Sequence, residues 1–326
     1  MLGETFAIAR GSRRLQEVVH VELEHHGIVG FGEAAPIYYW SETADSALSF
    51  LTDEAPKLVG DDPFALEGVG QRLAAHPGEQ GAKAALDAAL HDWIGKRLGQ
   101  PLWRLLGLEP LGPPTSYTIG LDTLAGTVER VRRAQGFDVL KLKLDGAEDL
   151  ARLEAVRRET SARIRVDGNE GLTLEAVREL LPSLNALGVE ILEQPFPAAD
   201  LDSFRALREL TGRPAVIVDE GCKDLGSVAK VAGYADGINV KLAKAGGLRE
   251  AVRMIHAARS LGLRVMLGCM LESELGIAPA AHIASLADDS DLDGHLLIAE
   301  SPFIGLRLIE GRVSPPADPG LGVHPI

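Results

Sequence analysis

Val19, Val21 and Leu23 alternate with polar residues, a His26-Gly27 turn follows, and Ile28 to Phe31 is again mostly apolar. Alternation at period two, broken by a turn, predicts a β-hairpin. Between Ala82 and Ile94 the period lengthens: Ala82, Ala85, Leu86, Ala89, Leu90 and Trp93 recur at three- and four-residue steps, and Gly99 with Pro101 closes the segment. That spacing predicts a helix with one buried face. Glu109-Pro-Leu-Gly-Pro-Pro114 fits neither pattern, because its prolines and glycine disfavour both helix and ladder. It is expected to be the linker that ends an N-terminal α+β domain, residues 1–113.

From residue 114 the chain is rhythmic. Short apolar runs near Tyr117, Leu142, Ile164, Ile191, Ile217, Ile238 and Val265 alternate with helical stretches such as Leu150 to Arg158. A charged residue ends five of these runs, at Lys143, Asp167, Glu193, Asp219 and Lys241, with gaps of 22 to 26 residues by subtraction. One strand, one helix and two loops occupy about that length in a β/α barrel, whose chemistry sits at the C-terminal ends of the strands. The five side chains are therefore expected at one mouth, in a barrel domain spanning 114–300.

Composition removes several classes of function. In the 326 residues, 46% are apolar and 25% charged, which suits a globular core. The net charge of −14 opposes phosphate backbones and anionic lipid, so neither nucleic acid nor a membrane is expected as a partner. No apolar run is long enough to span a bilayer and the first residues do not read as a leader, so a cytoplasmic location is expected. Two cysteines, Cys222 and Cys269, argue against a disulfide framework.

In Leu140-Lys-Leu-Lys-Leu144 the strand period puts three leucines on one face and Lys141 with Lys143 on the other. The leucines are expected to pack on helices. The lysines then enter the barrel mouth, where each should depress the other's pKa. Asp167, Glu193 and Asp219 end three successive runs. Taken singly, Asp-Gly and Glu-Gln-Pro are turn chemistry; three carboxylates at matched spacing suit Mg²⁺, a hard cation that takes oxygen ligands. Lys241 falls across the carboxylates from Lys143. Lys244, before Gly246-Gly247, reads as a loop or helix-start residue, and the glycine pair before a helix is also compatible with a phosphate cradle. Asp291 and Asp293 lie two apart, on one side if extended, and suit an ammonium group or a surface turn.

Taken together, Lys141-x-Lys143, Asp167-Gly-Asn169, Glu193-Gln-Pro195, Asp219-Glu220, Asn239-Val-Lys241 and Gly268-Cys-Met-Leu-Glu-Ser273 resemble the enolase superfamily, in its muconate-lactonising subgroup. Within it, Asp291-x-Asp293 and Ala9-Arg-Gly-Ser-Arg13 resemble the dipeptide epimerases, including the L-Ala-D/L-Glu epimerases. The resemblance implies a modified (β/α)7β TIM barrel closed by an α+β capping domain, which a C-terminal tail of about 301–326 rejoins. It implies one Mg²⁺ per subunit on Asp167, Glu193 and Asp219, acid/base roles for Lys143 and Lys241, and an electrostatic role for Lys141. Asp291 and Asp293 would hold the substrate ammonium, Arg13 matches a substrate-carboxylate position, and Met270 and Glu272 fall in a substrate-binding segment. Homo-oligomers are implied by analogy alone.

Two departures stand out. Only eight residues precede Ala9, so the expectation is either a cap sheet that lacks an edge strand or a misassigned start. In Ile37-Tyr-Tyr-Trp-Ser-Glu42, Tyr39 and Trp40 stand where many relatives read Arg-Tyr, which weighs against an acidic substrate side chain; with Tyr38 they are candidates for a lid over an apolar or aromatic one, cap packing or a subunit interface being the alternatives. The expected reaction is 1,1-proton transfer at the α-carbon of the C-terminal residue of a dipeptide, through an enolate. The alternatives are N-acyl amino acid racemisation, o-succinylbenzoate synthesis or cycloisomerisation on the same scaffold, or a metal-dependent binding protein without catalysis.

Overall fold

The structure is a computed structural model of the chain and describes residues 1–3, 5–60, 62–146 and 148–326. It opens with two antiparallel ladders, β1 (Phe6–Ile8) with β2 (Gly11–Arg13), and β3 (Val19–His25) with β4 (Ile28–Ala34). The second is the hairpin expected from the alternation. Among the described residues β3 and β4 pair only with each other.

The helix Gln80–Leu98 lies flat on this hairpin. Gly30 and Gly32 permit the approach: a Cβ at either would fall 2.1 Å from Ala89 O or 2.0 Å from Ala85 O. The expectation of one buried face needs correcting. Residues from Gly81 to Gly95 are all buried, Lys83, Asp87, His91 and Asp92 included, because the hairpin covers one side and the helices Leu242–Ala245 and Leu248–Ser260 the other. Asp92 shows how such burial is tolerated. Its carboxylate accepts from Phe31 N at 2.8 Å, Lys96 Nζ at 2.6 Å and Leu321 N at 2.7 Å, tying hairpin, helix and C-terminal tail together.

Eight parallel strands follow in sequential spatial order: β5 (Tyr117–Ile119), β6 (Val139–Lys143), β7 (Arg163–Asp167), β8 (Val189–Glu193), β9 (Ala215–Val218), β10 (Gly237–Lys241), β11 (Arg264–Gly268) and β12 (Asp289–Asp291). Ser116 N donates to Ser290 O at 3.0 Å, so the last strand returns to the first. Helical segments fill all seven connections, which gives the (β/α)7β order. The strand period sorts the two surfaces: Leu140, Leu142 and Leu144 join the layer between strands and helices, while Ile191, Ile217 and Met266 fill the barrel interior. Beyond the barrel the tail runs back over the hairpin, where Phe303 meets the edges of His20 and Phe31. No described helix is long and apolar enough to cross a membrane.

Candidate active site

Each parallel strand delivers its last residues to the same rim, so Lys143, Asp167, Glu193 and Lys241 arrive together and Asp219 follows one residue after β9. Asp167, Glu193 and Asp219 are each 1% exposed. Lys141 Nζ bridges three carboxylates, at 3.1 Å from Asp167, 2.8 Å from Glu193 and 2.7 Å from Asp291. Lys143 Nζ donates to Asp167 Oδ2 at 2.7 Å, and Lys241 Nζ lies 2.8 Å from Asp219 Oδ2. The two outer lysines thus approach the acidic cluster from β6 and β10. On β12 and just beyond it, Asp291 accepts from Ser116 Oγ and Asp293 Oδ2 accepts from Thr118 N at 2.6 Å. Both aspartates are buried, which removes the surface-turn alternative.

At Lys141 the expected depression by a like charge is reversed. Burial works against a charged Lys141, yet Asp291, Glu193 and Asp167 outweigh it and raise its pKa well above the ordinary lysine range. Lys241 is raised in the same way, with Asp219 as the main counter-charge to burial. Burial also opposes ionisation of Asp167 and Asp219, but Lys143 with Lys141 holds the first well below the usual carboxylate range, and Lys241 with Lys244 the second. Glu193 goes the other way, raised by burial and then by Asp167 and Asp219.

Above these groups is a cavity of about 380 Å³. Its floor includes Lys141, Lys143, Lys241, Asp291 and Asp293, and its wall comes from the N-terminal ladder and the loop after β4. Arg13 lines it, with its guanidinium 3.3 Å from the Tyr38 ring centroid and a 3.0 Å bond from Nη1 to Gln16 Oε1. Tyr39 lines it too, and its hydroxyl is buried without a partner. The lid pair therefore separates. Trp40 faces outward to Lys223, whose Nζ is 5.2 Å from the indole centroid, and is not part of the cavity wall. Met270 lines the cavity, whereas Glu272 turns under the loop, where Oε2 accepts from Met270 N at 3.0 Å and burial followed by Glu33 pushes its pKa up to about 8.

Among the described residues no three carboxylate, imidazole or thiol groups are set to ligate one ion as they stand, because each of the three carboxylates is drawn to a lysine ammonium. The donor set nonetheless suits a hard divalent cation. Three buried carboxylates stand at neighbouring strand ends; Glu193 Oε2 takes no aligned hydrogen bond, although Lys141 Nζ is 2.8 Å away; and Asn239 Nδ2 steadies Glu193 Oε1 at 2.8 Å.

Several supporting residues escaped the sequence analysis. Arg10 joins the N-terminal ladder to the barrel rim through Glu170 at 2.9 Å and through Glu220. Gln194 Oε1 accepts from Asp219 N at 2.8 Å, so the Gln of Glu193-Gln-Pro195 binds β8 to the next strand end. Ser116 and Thr118 left a legible trace, two small polar residues at strand period, one just before β5 and one within it. Arg10 was visible only as part of Ala9-Arg-Gly-Ser-Arg13, and nothing local in sequence marks Glu170 and Glu220 as its partners. Gly246-Gly247 proves not to be a phosphate cradle. Asp87 already fills that helix N-terminus, accepting from Leu248 N at 2.7 Å.

Residues 2–107 match the mandelate racemase/muconate lactonizing enzyme N-terminal domain, and residues 123–325 match the enolase C-terminal domain-like family. The L-Ala-D/L-Glu epimerase of Bacteroides thetaiotaomicron is 36% identical, over 100% of this chain and 85% of its own length. Among solved structures, the dipeptide epimerase of Methylococcus capsulatus, complexed with Mg and L-Arg-D-Lys, superposes with a TM-score of 0.93 at 34% identity, covering 99% of this chain and 96% of that one. A substrate-liganded L-Ala-D/L-Glu epimerase from Bacillus subtilis gives a TM-score of 0.92 at 29% identity, covering 99% and 95%. In sequence and in fold alike, the chain belongs to the mandelate racemase/muconate lactonizing enzyme family of the enolase superfamily.

Proposed function

We propose that this protein is a Mg²⁺-dependent dipeptide epimerase, an isomerase that inverts the α-carbon of the C-terminal residue. The observation that carries the reading is the pairing of Lys143 with Asp167 and of Lys241 with Asp219, which brings two amines to one carboxylate cluster from β6 and β10. Inversion needs a proton removed on one face and returned on the other, and two flanking amines meet that need.

Asp167, Glu193 and Asp219 would hold the cation. When bound, it supplies positive charge for the negative charge that collects on the substrate carboxylate as the α-proton leaves. Lys141, buried in the floor, adds a fixed charge of the same sign. Lys143 and Lys241 exchange roles with substrate configuration, one taking the proton into its amine as the other gives its proton to the opposite face. Asp291 and Asp293 hold the substrate ammonium, which sets the α-carbon of the second residue over the lysines. Arg13, Tyr39 and Met270 form the wall around its side chain. Residues 1–113, with the returning tail of about 301–326, act as the cap that shields this space from water above the barrel of 114–300.

The test is incubation with Mg²⁺ and L,L-dipeptides in D₂O. Gain of one deuteron at the C-terminal α-carbon together with the L,D product is the expected result; no exchange with any dipeptide carrying a free amine refutes the assignment.

A further inference from the structure

Lys244 does not line the cavity. It lies in the one-turn helix Leu242–Ala245, the helix-start position its sequence context suggested, yet is only 2% exposed. Its ammonium meets only oxygen acceptors: the Asp219 carboxylate at Oδ1, the Asp219 carbonyl, Cys222 O at 3.1 Å and Asn239 O at 3.2 Å. A group with three N–H donors and no acceptor capacity is well matched to that cage. Burying an ammonium costs several kcal/mol unless such partners repay it, so the arrangement is demanding.

The position of the cage is informative. The β9–β10 ladder ends at the pair Val218 and Ile238, one residue short of Asp219. At the next step the carbonyls of Asp219 and Asn239 both turn to Lys244. The ammonium therefore continues the connection between two strand ends where backbone pairing has stopped. It also takes Asp219 Oδ1, which leaves Oδ2 as the oxygen 2.8 Å from Lys241 Nζ.

We propose that Lys244 is a positioning residue: it fixes the rotamer of Asp219 and the spacing of Asp219 from Lys241, and through them sets the affinity of the site for a divalent cation and the alignment of Lys241. The proposal rests on the cation and epimerase reading given above.

The experiment uses the full chain with Lys244→Met, folding being verified by circular dichroism and a cooperative melt. Binding of Mn²⁺ is followed by the loss of its free EPR signal, and kcat and KM are measured separately with Mg²⁺. Expected are a Mn²⁺ affinity lower by about 10- to 100-fold and a comparable fall in kcat, with the dipeptide KM nearly unchanged because Lys244 does not face the substrate. A folded Lys244→Met protein that binds Mn²⁺ like the parent overturns the proposal. Should that variant not fold, Lys244→Gln, which keeps an N–H donor in the cage and removes the charge, is judged by the same measurement; if neither folds, Lys244 serves stability alone and the proposal is overturned. A parent protein that binds no Mn²⁺ overturns the cation reading itself, a different result from a parent and a variant that bind it equally.

Discussion

Asp87 caps a helix that belongs to another part of the fold: its Oδ2 accepts from Leu248 N at 2.7 Å, the first residue of Leu248–Ser260, across 161 positions of sequence. The carboxylate thus supplies from the N-terminal helix what an N-cap side chain supplies locally. Gly247 makes room for it at φ 137°, where a Cβ would fall 2.6 Å from Asp87.

Replacing Asp87 with Ala should cost about 0.5–2 kcal/mol, the range for losing a helix cap. Urea unfolding measures it. A variant as stable as the parent would mean that the cap contributes nothing.

The paired amines give a stereochemical prediction. Lys241→Ala should lower epimerisation by about 10²- to 10⁴-fold, the span of general acid-base catalysis, while α-proton exchange in D₂O persists from only one stereoisomer. Lys143→Ala should retain exchange from the other. NMR of the recovered L,L and L,D dipeptides decides, and full epimerisation by either variant contradicts the assigned roles.

Asp293→Asn keeps an oxygen for Thr118 N–H but loses the charge offered to a substrate ammonium. A charge-assisted hydrogen bond contributes about 1.5–3 kcal/mol, so KM for a free dipeptide should rise by about 10- to 150-fold with a smaller change in kcat. An enzyme whose substrate carries no free amine would show no such rise.

His282 links stability to pH. Its Nδ1 accepts from Trp103 N at 3.1 Å and its Nε2 faces Leu321 O at 3.1 Å, so the neutral ring joins the barrel to the tail, and burial pushes its pKa down to about 4. The unfolded chain takes up this proton below its ordinary value of 6.5 and the folded chain only near 4, so the contribution is whole above 6.5 and is lost as pH falls through that window. At about 1.4 kcal/mol per pH unit the full loss is about 3 kcal/mol. His282→Gln, neutral at every pH, should flatten the stability curve between pH 6.5 and 4 by about that amount. Parallel curves for the two proteins, by urea unfolding at each pH, would remove His282 as the cause.

Much of this site could be read before any coordinates. Strand parity and the spacing of runs are local properties, repeated in each β/α unit, so Lys141 and Lys143 could be given one face and the five charged residues one rim. Asp291 and Asp293 were legible as a pair. Their burial was not, because it depends on β12 closing against Ser116 and Thr118, about 175 residues earlier.

What the chain determines by itself is the order of its elements and which side of each strand a residue takes, since backbone sterics and hydrophobic period act within a few residues. Only the tertiary structure decides whom each charge meets. Lys244 and Asp87 carry no local mark of their partners, and the sense of the Lys141 shift reverses once Asp291, Glu193 and Asp167 surround it. Coulomb energy depends on distance through space and on burial, and both are set by how remote segments pack.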